Sequence, residues 1–368
     1  MSIKCSDIVK HMEELAPVKY AMDWDNVGLL VGDSTKEVSK VIIALDATSQ
    51  VIDEAILQKA DIIITHHPIL FKSIKKITDD SIKCKDIMKL IKNDICVYSA
   101  HTNLDIVPGG TNDVMINLFD VENITVLKPV DNNMYKKVAV YVPKEHVKNV
   151  REAMCLAGAG ELGNYKDCVF MTKGVGTFTP ENGANPFLGQ VDVLEQVKEI
   201  KLETIVDGGK VNQVIKAMIQ AHPYEEVAYD IFPLEIRENK YGFGRVAILK
   251  DSLKLNNLTE ILKDKLRLKN IKVSGDLDKE IKKIAVCTGS GMEFVKEAFV
   301  QNADVYITSD IKYHEASDAM NMGMALIDAT HCASENIVVP KLCEYIQTLD
   351  DKLEVIESSV NCEPFSIV

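Results

Sequence analysis

Hydrophobic and polar positions along the chain follow two rhythms that alternate. Lys40-Val-Ile-Ile-Ala44 and Asp61-Ile-Ile-Ile-Thr65 are short, nearly unbroken apolar runs, and between them Val51, Ile52, Ala55 and Ile56 recur at spacings of three and four. The runs predict buried strands and the spacing predicts an amphipathic helix, so the segment reads as a βαβ unit. It is repeated further on. Lys283-Ile-Ala-Val-Cys287 and Ala303-Asp304-Val-Tyr-Ile-Thr308 match it without a gap at an offset of 243 (283 − 40 = 308 − 65), with Glu54, Ala55 and Gln58 matching Glu297, Ala298 and Gln301. A third strand also recurs: Cys96 to His101 leads into Asp105, and Ala325 to His331 leads into Glu335, at an offset of 230 (331 − 101 = 335 − 105). Two such lobes predict a sheet that is at least partly parallel and covered by helices.

Different material separates the lobes. From Tyr135 to about Leu234 the pattern runs strand, helix, strand, strand, helix, strand, the ferredoxin-like order, with loops in AGAGELGNY and TPENGANPFLG. The segment Glu238 to Arg245 then returns the chain to the repeated fold. The predicted fold class is α/β: duplicated βαβ lobes with a mostly parallel sheet, plus an inserted ferredoxin-like α+β domain. Residues 1–130 and 240–368 form one discontinuous domain in this reading, and 134–237 form the insertion. Two domains also suit 368 residues, more than one hydrophobic core usually serves.

Composition narrows the class. An apolar content of 46% and a mean hydropathy near zero describe an ordinary globular chain. No apolar run reaches the roughly 18 residues of a membrane span. The start, MSIKCSDIVKHMEELAP, is interrupted by Lys10, His11, Glu13 and Glu14 and reads as an amphipathic helix stopped by Pro17, not as a signal peptide. The expected location is the cytoplasm. Nine cysteines, at 5, 84, 96, 155, 168, 287, 332, 343 and 362, form no C-x-x-C and read as reduced, mostly buried residues. A net charge of −13 argues against loose nucleic-acid binding, which needs a basic surface.

The candidate chemistry lies at the strand ends. His66 and His67 close the run Ile62 to Thr65; His101 with Asp105 and His331 with Glu335 follow the other strands. Ligands of α/β sheets sit at the carboxyl ends of strands. Imidazole nitrogens with carboxylate oxygens, and no thiolate, suit two divalent metal ions: Zn first, with Mn, Fe or Co also fitting. If a helix begins after each strand, the i,i+4 spacing puts His331 and Glu335 on one face. Taken singly, two neighbouring histidines or one H-x-x-x-[DE] pair are common on ordinary surfaces; three strand ends in two repeats carry the metal reading. Asp46 and Asp310 also end strands. Each is a candidate partner of the centre or a helix cap, capping coming first for Asp310. Trp24 reads as core. His11 and His146 read as structural, and His222 and His314 stay unassigned. Lys72, Lys75 and Lys76 read as solvated surface before phosphate contacts.

THHPILF, SAHTNLD and DATHCASE, together with DWDNVGLLVG (Asp23 to Gly32) and ALDAT (Ala44 to Thr48), resemble the NIF-three-like family, commonly labelled GTP cyclohydrolase 1 type 2. The resemblance covers essentially the whole chain, and the insertion with AHPYEEVAYDI (Ala221 to Ile231) is similar to that of longer bacterial members, whose fold resembles CutA and PII-type regulators. It implies His66, His67, Asp105, His331 and Glu335 as metal ligands, with Glu335 shared by both ions. It places His101 beside the site, either as a catalytic proton shuttle or as a group orienting a ligand such as Asp105. It implies a metal-dependent hydrolase in which metal-bound hydroxide attacks C8 of a purine nucleotide, GTP, and a homohexameric ring. The alternative is a metal-binding regulatory or ligand-sensing protein without turnover.

Overall fold

A computed structural model describes residues 3–130, 134–237, 241–361 and 363–366. Cys362, and Glu238 to Lys240 of the predicted return segment, lie outside the described residues. The chain divides into two compact units, Met1–Val130 with Asn239–Val368, and Asp131–Glu238.

The first unit holds two mixed sheets. One runs in the order Glu354–Glu357, Lys40–Ala44, Ile62–Thr65, Cys96–Ser99, Gly28–Val31, the first four parallel and the last antiparallel. Its central strand is an isoleucine run because both faces are covered. Ile42, Ile63 and Val97 meet the helix Ser49–Gln58 through Val51, Ile52 and Ala55; Val41, Ile43, Ile62, Ile64 and Tyr98 meet Ile8, Met12, Val338 and Leu342 on the other side. Each such fully buried aliphatic side chain stabilises the fold by roughly 1.5–3 kcal/mol. The helix starts where Thr48 Oγ1 accepts from Val51 N at 3.3 Å and stops at Lys59, which is left-handed at φ 55°.

The other sheet runs Lys272–Ser274, Ala325–Asp328, Val305–Thr308, Glu280–Val286, Gly242–Lys254, Val121–Pro129. Only its three βαβ strands are parallel; the outer strands pair antiparallel. The expectation of a mostly parallel sheet is thus corrected for this half. The sequence reading followed only βαβ units. It missed Val121–Pro129, whose mainly exposed positions give no buried run to recognise.

The register of the two parallel cores keeps the sequence offset. Val41 faces Ile62 and Ile284 faces Val305, both related by 243. The third strands are related by 229, because Ile62 faces Cys96 where Val305 faces Ala325. His101 is therefore the N-cap of the helix Thr102–Ile106, whereas His331 is the first residue of the helix His331–Asn336.

In the second unit the strands are ordered Tyr229–Arg237, Met134–Pro143, Glu195–Val206, Val169–Phe178, all antiparallel. Val138, Val140, Val142, Leu202 and Val206 pack on Val150 and Met154 of the helix Val147–Leu156 and on Val214 and Met218 of the helix Val211–Ala221. The alternation along each strand sends every second residue to the opposite face.

Candidate metal centre

Four imidazoles and two carboxylates from the first unit converge where the parallel strands end. His66 and His67 follow Ile62–Thr65, Asp105 lies in the helix Thr102–Ile106, and His331 and Glu335 share the helix His331–Asn336. The ring centroids of His66, His67 and His101 are 5.1–5.4 Å apart, and His331 is 5.5 Å from His67. Two overlapping groups have the spacing to hold a metal ion: His66, His67 and His101, and His67, His331 and Glu335. Asp105 joins them through its Oδ1, 3.6 Å from His66 Nε2.

Each ring is turned the same way by an acceptor on its outer nitrogen. Nδ1 of His66 donates to the Ala100 carbonyl at 2.9 Å, His67 to Asp46 Oδ1 at 2.9 Å, His101 to Asp25 Oδ1 at 3.0 Å, and His331 to Asp310 Oδ2 at 2.7 Å. A neutral imidazole protonated at Nδ1 presents a bare lone pair at Nε2, and metal-binding histidines are oriented in this way. The inner nitrogens of His66, His67 and His331 then face carboxylate oxygens. Glu335 Oε2 stands 3.0 Å from His67 Nε2 and 3.2 Å from His331 Nε2, and Glu335 Oε1 is 3.8 Å from His66 Nε2. Lone pair opposes lone pair. Glu335 Oε2 and His66 Nε2 are buried with no hydrogen-bond partner. A buried polar atom left this way costs about 1–3 kcal/mol, and a cation between the two groups removes that cost. The donor set fits a divalent ion on this ground.

Without an ion, protons on the rings take over that role. His67 is pushed up to about 10: burial opposes the charge, but the neighbouring carboxylates of Asp46 and Glu335 outweigh it. Glu335 raises His331 to about 9 against burial, with Asp310 adding to it. Glu335, although buried, is held well below the usual carboxylate range by His331, His66 and His67. Burial pushes Asp105 upward, against the pull of His66. Asp25 is brought down to about 2 because hydrogen bonds from His101 and Thr102 outweigh its burial.

Space is made for Glu335 by a glycine. Gly289 has φ +65°, and a Cβ added there would lie 2.1 Å from Glu335 Oε1. Asp105 is fixed by Thr111 Oγ1 at 2.5 Å, and Thr111 accepts from Thr288 Oγ1 at 3.0 Å. A buried polar chain thus ties the two halves of this unit behind the centre.

Every residue singled out as ligand or catalyst in the sequence lies in this cluster, and two readings are corrected. Asp310 is not a helix cap. The helix Tyr313–Asn321 is capped at Lys312, and Asp310, left-handed at φ 57°, aims its carboxylate at His331 instead. Trp24 is not core: it is 57% exposed and lies 5.8 Å from the half-exposed ring of Phe71, and both rings sit edge-on to His101 at 6.1 and 6.0 Å. Asn26 clips these loops together through the Leu70 carbonyl at 2.5 Å. Lys72 lines the same cavity as Trp24 and Phe71, whereas Lys76 is paired with Asp80. The outer nitrogen of His101 is taken by Asp25. Asp25, Thr111 and Gly289 went unread, although DWDN carried the first in plain view. Among the described residues the cysteines are free, with 5, 84, 96 and 287 buried. No helix among them is long and apolar enough to cross a membrane.

An α/β fold with imidazoles and carboxylates gathered at the carboxyl ends of its parallel strands defines the class: a protein built around a candidate divalent-metal centre. Comparison with known proteins makes this specific. The chain belongs to the Duf34/NIF3 (NGG1p interacting factor 3) family, matching it over residues 3–364. It is 40% identical over 370 aligned residues to a Bacillus subtilis protein named "GTP cyclohydrolase 1 type 2 homolog", covering 100% of this chain and 99% of that one. A Listeria monocytogenes protein of the same name is 39% identical over 358 residues, 96% of each chain. Among solved structures, a Bacillus cereus protein related to NIF3 is similar with a TM-score of 0.89 at 38% identity over the whole of both chains. A Staphylococcus aureus protein reaches 0.82 at 30% identity, over 100% of this chain and 99% of that one.

Proposed function

We propose that this chain is a divalent-metal-dependent hydrolase that opens the ring of a purine nucleotide, GTP being the first candidate. One observation carries the reading: His66, His67 and His331, each held through Nδ1 by an acceptor outside the cluster, turn Nε2 inward onto the buried carboxylate of Glu335, where Glu335 Oε2 and His66 Nε2 have no hydrogen-bond partner. The two oxygens of Glu335 address different partners, His66 on one side and His67 with His331 on the other. That split supports two ions sharing Glu335, with His66 and Asp105 serving one and His67 and His331 the other. His101, grouped with His66 and His67, is read as a further ligand rather than a proton shuttle. Zinc is the first choice for this mixed nitrogen and oxygen set. Bound ions of this kind activate water near neutral pH and polarise the substrate.

The chain's own residues do the rest. Asp46, Asp25 and Asp310 fix the rings; Trp24 and Phe71 offer exposed aromatic faces beside His101 on which a purine can stack; Lys72 lies on the same rim for a phosphate. The names of the Bacillus subtilis and Listeria relatives favour a nucleotide of this class. Activity is tested by loading purified protein with Zn or Mn, adding GTP and measuring formate. Release that stops in Glu335→Ala and His67→Ala supports the reading; turnover persisting in either variant removes the assigned centre.

The same reading covers architecture and setting. The shared 243-residue register of Lys40–Ala44 with Ile62–Thr65 and Glu280–Val286 with Val305–Thr308 favours a duplicated lobe. The strand order of residues 134–237 favours an inserted ferredoxin-like domain between the segments 1–130 and 240–368. A homohexamer, expected from the family resemblance, is tested by light scattering on the purified protein; the cytoplasmic location expected from the composition is tested by cell fractionation.

A further inference from the structure

A cavity of about 660 Å³ lies wholly within the second unit. Its floor is the sheet face turned away from the helices. Ile200, Leu202 and Val206 pack on the helix side, so Glu199 and Lys201, one residue out of phase, belong to the other. Glu199 stands opposite Gly174 in the ladder, and the strand carries a second glycine at 176. Those glycines clear the floor, and Glu199 uses the space: a Cβ at Gly176 would meet its Oε2 at 2.2 Å.

Aromatic rings wall the cavity. Phe187 comes from the loop between the two strands, which is held by Asn185 N donating to Glu225 Oε1 at 3.0 Å. Its ring lies 6.3 Å from that of Tyr224 and edge-on to His146 at 5.3 Å. Tyr224 is placed by His222, the first residue of the HPYEE turn. Nδ1 of His222 accepts from Tyr224 N at 3.1 Å, which leaves Nε2 protonated and donating to the Tyr141 carbonyl at 3.0 Å. Tyr224 Oη then donates to Glu199 Oε1 at 3.0 Å.

Glu199 is only 9% exposed, and its Oε2 has neither a hydrogen-bond donor nor a cation among the described residues. The nearby Lys201 is turned to Glu203 at 3.1 Å. Glu181, Glu225 and Glu226 line the cavity with Glu199, so four carboxylates outnumber the two lysines of the lining, Lys173 and Lys201. These features reject phosphate and favour a cation with a flat body.

We propose that this cavity is a second ligand site, separate from the metal centre, for a small aromatic molecule bearing an amidinium or protonated amine. The cation is held by Glu199, and the ring rests against Tyr224 and Phe187. A cavity of this size suits a ligand of drug-like dimensions or smaller.

The test uses the full-length protein and three probes of one shape, benzamidine, benzamide and benzoate, in calorimetric or ligand-observed NMR titrations. Benzamidine is expected to bind saturably at one per chain, at least tenfold tighter than neutral benzamide, with no binding of benzoate. Glu199→Gln keeps the size and the bond from Tyr224 and is expected to weaken benzamidine at least tenfold. Phe187→Ala, on the exposed loop, weakens it several-fold and guards against a folding defect in the first variant. His67→Ala leaves the affinity unchanged. No binding to the wild type, equal affinity for benzamidine and benzamide, or full affinity in Glu199→Gln overturns the proposal.

Discussion

Oδ2 of Asp310 accepts from Nδ1 of His331 at 2.7 Å, and this carboxylate, not the ring itself, decides which nitrogen of His331 faces the centre. Asp310→Asn replaces an obligate acceptor with a group that can flip and offer a donor. The inner nitrogen then loses its fixed tautomer. Metal affinity is expected to fall about 10- to 100-fold, with little change in the melting temperature of the ion-free protein, because Asp310 is half-exposed at the surface. Competition with a chromophoric chelator measures it. Unchanged affinity would show that Asp310 has no hold on the ring.

Gly289 sets the depth at which Glu335 can sit. Gly289→Ala carries two costs that can be separated. The left-handed backbone costs roughly 1–2 kcal/mol for a residue with a Cβ, and the methyl group displaces Oε1, 2.1 Å from its ideal position. Gly163→Ala is the control: its φ is +56° with nothing within 4 Å of an added Cβ. Both variants are expected to melt lower, but only Gly289→Ala loses bound metal, as counted by atomic absorption. Equal metal content in the two variants would refute the close approach.

The histidine centre was legible because its chemistry is written in residue types at the ends of apolar runs, which is where an α/β sheet exposes side chains. The roles one step outside it were not. Asp310 occupies, by the 243 offset, the position of His67, and Gly289 that of Asp46. Positions related by the 243 offset thus carry different duties: in one half a carboxylate holds a histidine, and in the other a glycine makes room while Asp310 reaches across to His331. Nothing in strand periodicity encodes that exchange. Trp24 was misread for a similar reason. Large aromatic residues are usually buried, and only tertiary packing reveals that this one is left at the rim beside His101. The antiparallel flank of the second sheet escaped because its outer strand is largely exposed and shows neither a buried run nor clean alternation.

Protons and metal compete for the same nitrogens, and the direction is fixed by the shifts. In the ion-free protein His67 is raised from 6.5 to about 10 and His331 from 6.5 to about 9. Groups raised on folding stabilise fully below their unfolded value and lose that stabilisation as pH climbs through the folded one. Glu335, lowered from 4.5, acts oppositely: its contribution is present above 4.5 and fades in acid. Protein stripped with EDTA is therefore expected to lose melting temperature progressively between about pH 7 and 10. Protein reloaded with Zn is expected to resist, and the gap between the two widens with pH because binding releases protons. Thermal scans across this range measure it. Parallel curves for stripped and reloaded protein would mean that these histidines do not bind the ion.

Trp24 is the only tryptophan in the chain, so its fluorescence reports on one place alone. It lies 57% exposed, 5.8 Å from Phe71 and 6.1 Å from His101. A purine stacked there removes water from the indole and quenches its emission. GTP is expected to quench saturably. Phe71→Ala is expected to weaken the response roughly 5- to 150-fold, the range set by about 1–3 kcal/mol of stacking per base. Ribose triphosphate, which lacks the base, is expected to leave the emission unaltered. Because the signal needs no turnover, it separates recognition from catalysis: quenching without formate release keeps the aromatic rim and removes the hydrolase, whereas emission indifferent to GTP in zinc-loaded protein removes the purine from the rim.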